Sequence, residues 1–296
     1  NNIECGHRDS NPGYKLGNQQ ETEIKITHAD FDEYVTLLEI SGITKRWIYQ
    51  IKNFLKDYLK FVDWRINKKK TLDYLQKIIN KNNVSSYKKK AYQIRKLLYH
   101  IDCKWYNEIK LPSDPYYIPK RVMRTDILST LEYFKGNRYC IQLKALTLLG
   151  ATSGLRAEEL YQLDIGDIDF ENRTVYVKHD PNNGKTTKTK KSRTSFFSED
   201  AKIELLNYLK FYNDTNILKR LFSKTHILRG FRCAPIKVKD LREFFSQEWD
   251  RQGGPTSIKK ILMGHSLRGD VDLMHYNYQS KEDLKKIYNK IGITIN

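Results

Sequence analysis

The sequence predicts a mainly α-helical protein with a small antiparallel β-hairpin, divided into two domains. Apolar residues recur at helical spacing along most of the chain from Thr27 onward. Only residues 173–178 alternate as a half-buried strand does, with a turn and a possible return strand after them. Three prolines, Pro112, Pro115 and Pro119, interrupt the helical pattern and predict a linker. The length of 296 residues fits two domains of roughly 150 residues each.

The first 22 residues are polar, contain glycine and proline and show no helical period, so we expect a flexible arm over residues 1–22. A helical domain is expected over residues 23–111. Its first helix begins at Thr27, which caps it together with Asp30, and its inward stripe contains Phe31 and Leu38. Three more helices, with basic outer faces, are predicted to begin at Thr44, Thr71 and Ser86.

The linker is placed at residues 112–124 and the second domain at residues 125–296. We expect this domain to consist of helices and one hairpin, whose strands at 173–178 and 193–197 flank a turn at 181–184. The predicted helices lie near 126–134 and 138–152, around Arg156 and Glu159, from Ser198, and near 237–250, 256–263 and 281–290.

Composition restricts the class of partner. Lys and Arg number 53 against 35 Asp and Glu, a net charge of +18, so a polyanion such as nucleic acid is the expected partner. Four separated cysteines form no Cys-x-x-Cys pair, which argues against a disulfide framework or a zinc site. Without an 18-residue apolar run or a signal peptide, we expect a soluble, cytoplasmic protein. Because the chain begins with Asn1, we expect a processed chain or a fragment of a longer reading frame.

The chemistry-bearing residues follow one another in an order that suits attack on a phosphodiester. Arg156 and Arg242 can hold the non-bridging oxygens, on which charge develops as phosphorus becomes five-coordinate. His265 can accept or share a proton, and Tyr276 offers a nucleophilic oxygen. Taken alone, Arg156 could simply pair with Glu159 one turn away.

These residues lie in segments that resemble the motifs of the tyrosine recombinase (phage integrase) family. The segments are Gly154-Leu-Arg156-Ala-Glu-Glu159-Leu, Lys239-Asp-Leu-Arg242, Met263-Gly-His265-Ser and His275-Tyr276-Asn-Tyr278. The family usually has histidine where Lys239 stands, and this departure is most similar to archaeal fusellovirus and plasmid integrases. The resemblance implies a SAM-like core-binding domain and a catalytic domain that form a C-shaped clamp on duplex DNA.

The resemblance also implies a role for each residue. Tyr276 is the expected nucleophile, with Tyr278 as its alternative, and Glu159 supports the first arginine. Lys239 can contact a phosphate oxygen but, being charged at neutral pH, is a poor proton acceptor. A hairpin lysine protonates the leaving 5′ oxygen. Lys188 aligns best with that position. Lys185 and Lys190, in the same lysine-rich run, remain alternatives.

The implied enzyme is a site-specific integrase that forms a 3′-phosphotyrosine bond and needs no cofactor, neither ATP nor a metal ion. It would act on double-stranded attachment sites as a homotetramer, without a membrane or small-molecule substrate, and exchange its last helix, with Leu284 and Ile287 on one face, between neighbours. Two alternatives stay open: a type IB topoisomerase, which would relax supercoils without recombination, and a catalytically inactive DNA-binding protein.

The arm suggests where the DNA target lies. Residues 8–13, Arg-Asp-Ser-Asn-Pro-Gly, can be encoded by CGG-GAY-TCG-AAC-CCG-GG. The reverse complement of that sequence contains GTTCGA, the core of a tRNA T-arm. Integrases of the fusellovirus type carry their attachment site inside their own gene. The arm is therefore interpreted as translated tRNA-gene sequence, against the alternative of an ordinary Gly/Pro loop.

Overall fold

The computed structural model of the protein describes residues 23–212, 220–265 and 279–295. The chain divides into two compact units, one ending at Ile118 and the other beginning at Pro119. Each unit has its own apolar core. The predicted fold class is confirmed, since the described chain is mostly helical with small antiparallel sheets. None of the described helices is both long and apolar enough to cross a membrane.

The first unit is a bundle of helices around a core to which each helix contributes one stripe. The predicted capping of the first helix is confirmed: the carboxylate of Asp30 accepts from the Thr27 amide at 2.8 Å, and the Thr27 hydroxyl accepts from the Asp30 amide at 3.2 Å. The elements are β1 (Ile24–Lys25), α1 (His28–Ile40), α2 (Lys45–Phe61), β2 (Arg65–Ile66), α3 (Lys68–Ile79) and α4 (Val84–His100), and β1 pairs antiparallel with β2.

Two helices of this unit begin earlier than their sequence predicts. Helix α3 begins at Lys68 instead of Thr71, because the side chain of Asn67 accepts from a backbone amide of the first turn. Asn83 caps α4 in the same way, upstream of the predicted start at Ser86. Asparagine caps a helix about as well as serine. In both helices the cap is therefore an asparagine upstream of the polar residue from which the start was predicted.

The second unit is built around a helix that is buried on all sides. This helix, α6 (Cys140–Ser153), packs against α8 (Glu199–Tyr212) and α10 (Val238–Arg251). These two contacts are more extensive than those between any other two described elements. The helices are α5 (Arg124–Tyr133), α6 (Cys140–Ser153), α7 (Ala157–Leu160), α8 (Glu199–Tyr212), α9 (Lys224–Gly230), α10 (Val238–Arg251), α11 (Thr256–Met263) and α12 (Lys281–Ile291).

The predicted hairpin is present as β4 (Thr174–Val177) and β5 (Arg193–Phe196), which pair Val177 with Arg193. A third strand, β3 (Ile168–Asp169), extends the sheet on the far side of β4. Neither β3 nor helix α9 is predicted from the sequence. Two residues cannot show an alternating pattern, and seven are too few for a helical period to be recognised.

Helix α12 packs on the core of its own unit. Leu284 and Tyr288 are buried, and the Tyr288 hydroxyl donates to the Thr152 carbonyl at 2.8 Å. Ile287, expected beside Leu284 on the apolar face, is partly buried in the same core. The face predicted to contact a neighbouring copy is thus covered by the helix's own unit, and the exchange of this helix between copies stays a prediction.

Candidate active site

A left-handed glycine positions the first arginine. Helix α6 ends at Gly154, whose φ of +66° is strained for any residue with a side chain. A Cβ at this position would also lie 2.5 Å from the ring of Phe245 on α10. The chain therefore turns sharply against α10 and delivers Arg156 to the start of α7, at the carboxyl end of the buried α6.

Arg156 joins two of the sequence motifs. Its guanidinium donates to Glu159 at 2.9 Å and to the carbonyl of Gly264 at 3.0 Å. The backbone amide of Arg156 also donates to Glu159, at 2.8 Å. The pairing with Glu159 that could have explained Arg156 alone is therefore real, but the same side chain also reaches the residue before His265.

Arg242 approaches the same place from α10. Its guanidinium donates to the carbonyl of Gly154 at 2.7 Å. Burial, followed by repulsion from Arg156 and Arg193, lowers the pKa of Arg242 to about 9, against a smaller opposing effect of Glu159. The side chain remains a cation at neutral pH.

Arg193 is a member of the cluster whose role the sequence did not reveal. It begins β5 and donates through both terminal nitrogens to Glu159, at 2.9 and 2.6 Å, while its Nε donates to the carbonyl of Leu262 at 2.8 Å. The sequence pattern predicts Arg193 only as a residue of the return strand. The available signal was a lone arginine opening an otherwise uncharged strand, after a run made almost entirely of lysine and threonine.

Glu159 is the acidic centre around which the cations assemble. Burial alone would raise the pKa of Glu159, but the bonds and charge of Arg193, with the bonds from Arg156, lower it to about 2. The carboxylate is therefore ionised at neutral pH, and it is nearly inaccessible to water, with 3% of its side chain exposed. It accepts bonds from both guanidinium groups and so fixes their orientation.

His265 follows the left-handed Gly264 that ends α11, and its amide donates to the carbonyl of Lys260 at 3.0 Å. Its side chain is exposed but partly shielded from water. That shielding is the largest cause of a lowered His265 pKa, and Arg242 and Arg156 are the next largest. A lowered pKa favours the neutral imidazole, the form that can accept a proton.

The lysines lie around this cluster without joining it. Lys188 and Lys190 are exposed on the loop between β4 and β5, and Lys239 is exposed on the first turn of α10. Among the described residues, no hydrogen bond or ion pair connects these three to the arginines. Lys185 is buried and paired with acidic residues elsewhere in the unit. Tyr276 and Tyr278 lie outside the described residues.

The described site thus unites Arg156, Glu159, Arg193, Arg242 and His265. A sequence profile described as the phage integrase family matches residues 121–282, more than half of the chain. The chain belongs to the phage integrase family. It is a tyrosine recombinase, an enzyme of site-specific DNA recombination.

Individual relatives agree with this assignment. The tyrosine recombinase XerA of Pyrococcus furiosus is 26% identical over 261 residues, which cover 79% of this chain and 85% of XerA. A lambda integrase (residues 75–356) dimer bound to a COC′ core site has a TM-score of 0.64 at 14% identity, covering 88% of this chain and all of the other. The Tn1549 transposon integrase in complex with transposon right end DNA has a TM-score of 0.62 at 12% identity, covering 89% and 99%. At these identities the structural likeness concerns the fold alone.

Proposed function

We propose that this recombinase cuts and rejoins duplex DNA through a 3′-phosphotyrosine bond formed by Tyr276. The observation that carries the proposal is the arginine site: Arg156 bonds to the buried Glu159 and to the carbonyl of Gly264, the residue before His265. Arg242 bonds to the carbonyl of Gly154, two residues before Arg156. Two guanidinium groups fixed by a carboxylate and by backbone carbonyls form a rigid cationic site. Such a site stabilises the negative charge that develops on a five-coordinate phosphorus.

The chain itself limits where Tyr276 can act. Tyr276 is 11 residues after His265 and 5 residues before Lys281. Lys281 is anchored to the catalytic unit, because its ammonium donates to the Tyr176 hydroxyl at 2.7 Å. Five residues span at most ~18 Å, which sets an upper limit on the distance between Tyr276 and Lys281. The anchor itself lies beside the strand pair that holds Arg193, because Arg193 pairs with Val177, the residue after Tyr176.

Proton transfer would use two different groups. His265, with its lowered pKa, would accept or share the proton of the attacking phenol. Lys188, exposed on the hairpin loop, would protonate the leaving 5′ oxygen, with Lys190 as the alternative donor. A 5′ hydroxyl of a partner duplex would then attack the phosphotyrosine and complete strand exchange, with Lys239 as a further phosphate contact.

The proposal extends to the DNA target of the recombinase and to the number of copies that act together. The possible T-arm coding of residues 8–13 supports integration of a viral or plasmid genome into a host tRNA gene. Two cleavages on each of two partner duplexes require four active sites, which supports a homotetramer on DNA. Sequencing the gene beside host tRNA genes tests the target directly, since synonymous codons that break the T-arm match would refute it.

The chemistry is tested with a suicide substrate, a nicked duplex that traps the covalent protein–DNA adduct. Tyr276→Phe should abolish adducts while leaving the mobility shift of the same DNA unchanged, because only the nucleophilic oxygen is removed. Tyr278→Phe is the matched control and should still form adducts. Adducts that survive in Tyr276→Phe but disappear in Tyr278→Phe would transfer the role to Tyr278. Relaxation of supercoiled DNA without strand exchange would indicate a topoisomerase.

A further inference from the structure

The loop between β4 and β5 is closed at its base by a compact turn. The backbones of Asp180 and Lys185 exchange two hydrogen bonds of 2.8 and 2.9 Å. Between them Pro181–Asn183 forms a 3₁₀ turn, and Gly184 takes a left-handed φ of +68°. This turn separates strand β4 from the lysine-rich segment and sets the point from which that segment leaves the unit.

The side chain of Lys185 points away from solvent and into the unit. Its ammonium lies 2.7 Å from Asp164 and in contact with Asp167, and only 9% of the side chain is exposed. Asp167 is itself buried and accepts from the amide of Asp164 at 3.0 Å. The same carboxylates also pair with cations outside the loop tip, Asp167 with Lys178 at 2.7 Å and Asp164 with Arg220 at 3.3 Å. Lys185 is the most buried cation of this network, so its removal would take away the partner that the buried Asp167 has inside the unit.

The residues that receive Lys185 follow directly after α7, the helix that carries Glu159. Gln162, in the same segment, accepts from the amide of Thr186 at 2.7 Å, immediately after Lys185. Arg220 ties the same two segments together, since it donates to the carbonyls of Gln162 at 2.6 Å and Asn183 at 3.1 Å. The loop base is thus fastened to the chain that continues from the arginine cluster.

Beyond the base, residues 187–191 form one turn. The Thr187 hydroxyl accepts from the amide of Lys191 at 3.1 Å and donates to the carbonyl of Lys191 at 3.0 Å. The amide of Thr187 donates to His179 on the opposite side of the loop, at 3.1 Å. Lys188 projects from this turn, three residues after Lys185 and therefore within ~11 Å of it along the chain.

We propose that Lys185 is a positioning residue, which anchors the loop that presents Lys188 to the scissile phosphate, and that it does not donate the proton. The proposal rests on the proposed cleavage chemistry. A proton donor must reach the leaving oxygen of the DNA, and the Lys185 ammonium faces two carboxylates inside the unit instead. The two carboxylates also hold the pKa of Lys185 above its ordinary value, against the opposing effect of burial.

The kinetic test compares two substrates, one with the ordinary 5′ oxygen and one with a 5′-bridging phosphorothiolate, whose sulfur leaves without a proton. Lys185→Met should slow single-turnover cleavage of the oxygen substrate by about ten- to hundred-fold, because a displaced loop misplaces Lys188, and the phosphorothiolate should restore most of that rate. Lys188→Met should slow only the oxygen substrate, and adding Lys185→Met to it should cause little further loss. Lys202→Met, which removes an ion-paired lysine from α8, is the control and should leave both rates unchanged.

Two outcomes would overturn the proposal: a Lys188→Met variant that keeps the wild-type rate on the oxygen substrate while Lys185→Met is slowed and rescued by the phosphorothiolate, which would make Lys185 the donor, and full activity of Lys185→Met on both substrates. Lys185→Arg keeps a cation between the two carboxylates. It should therefore recover most of the cleavage rate that Lys185→Met loses. Hydrogen exchange without DNA gives an independent measurement, since Lys185→Met should accelerate exchange of the Lys190 and Lys191 amides bonded to Thr187. Unchanged exchange there would refute the anchoring itself, whatever becomes of the proposed cleavage chemistry.

Discussion

Arg193→Met tests whether one residue holds the active-site cluster together. The substitution keeps an unbranched apolar stem of similar reach and removes the guanidinium. Three hydrogen bonds are lost, two to Glu159 and one to the carbonyl of Leu262. Glu159 would keep its partner Arg156 but lose the bidentate one, in a place where only 3% of the carboxyl side chain is exposed.

The magnitude follows from Glu159. Its pKa falls from 4.5 to about 2, which is a difference of about 2.5 units and corresponds to ~3 kcal/mol of folding free energy at neutral pH. Arg193 supplies the larger part of the lowering, with Arg156 supplying the rest. Removing one partner of a buried pair costs about 3–5 kcal/mol in general. We therefore expect Arg193→Met to destabilise the second unit by ~3 kcal/mol.

The dependence on pH has a definite sign. Because the folded-state pKa of Glu159 is depressed, its contribution is fully present above the unfolded value of 4.5 and is lost as pH falls toward 2. Wild-type stability should therefore decline across this window because of Glu159. In Arg193→Met the folded-state pKa rises, so the decline attributable to Glu159 should be smaller.

Urea unfolding monitored by circular dichroism at pH 7 and at pH 3 measures both effects. Arg124→Met is the matched control, because Arg124 is 42% exposed and lies 3.6 Å from its carboxylate partner, so its loss should cost no more than ~1 kcal/mol. Equal stability of Arg193→Met and Arg124→Met at pH 7 would refute the reasoning. If the free energy of unfolding falls between pH 7 and pH 3 by the same amount in Arg193→Met as in the wild type, then Glu159 is not the group responsible for the pH dependence.

Two further substitutions test the framework around the site by urea unfolding. Gly154→Ala should cost about 2–5 kcal/mol, combining left-handed strain with a clash against Phe245, whereas Gly136→Ala, with open space around its Cβ, should be nearly neutral. Equal costs at the two glycines would refute this explanation. Tyr288→Phe should cost about 1–2 kcal/mol through loss of the bond to the Thr152 carbonyl, and an unchanged stability would mean that this bond contributes nothing net.

Long periodic segments were predictable from sequence because burial of one stripe imposes a helical period. Helix α11 was predicted with its observed bounds, and the strand pair β4 and β5 was predicted to within a residue at either end. Helix starts such as that at Lys68 were missed where two polar residues competed as caps. The choice between them depends on which side chain reaches a free amide, and sequence spacing alone does not reveal that.

Site residues could be predicted from sequence where a single local motif contains them. The motifs of Arg156, Arg242 and His265 have recognisable spacing, so the sequence alone proposes these three as site residues. Arg193 and the burial of Lys185 were missed because both depend on long-range partners. Glu159 lies 34 positions before Arg193, and Asp167 lies 18 positions before Lys185. A lysine-rich run looks uniformly solvated in sequence, and only the tertiary structure distinguishes an inward lysine from an outward one.

The electrostatic state of His265 also depends on tertiary structure and leads to a prediction. Partial shielding from water lowers the His265 pKa most, and Arg242, Arg156 and Lys259 lower it further. Lys259→Met removes one of these charges and leaves its partner Asp250, 2.7 Å away in the wild type, as an unpaired anion. Both changes favour the imidazolium, so the pKa of His265 should rise.

The NMR titration of the His265 ring protons measures this pKa, and the pH profile of single-turnover cleavage reports its consequence. Since the wild-type pKa is depressed, the stability contributed by His265 is present above the ordinary histidine pKa of about 6.5 and declines below it. In Lys259→Met this decline should shrink, while the acidic limb of the cleavage profile moves to higher pH because the proton acceptor is charged sooner. Lys202→Met is the control.

A His265 pKa that stays constant or falls in Lys259→Met would mean that solvent screens these charges. An acidic limb that stays fixed while the His265 pKa rises would mean that another group accepts the tyrosine proton.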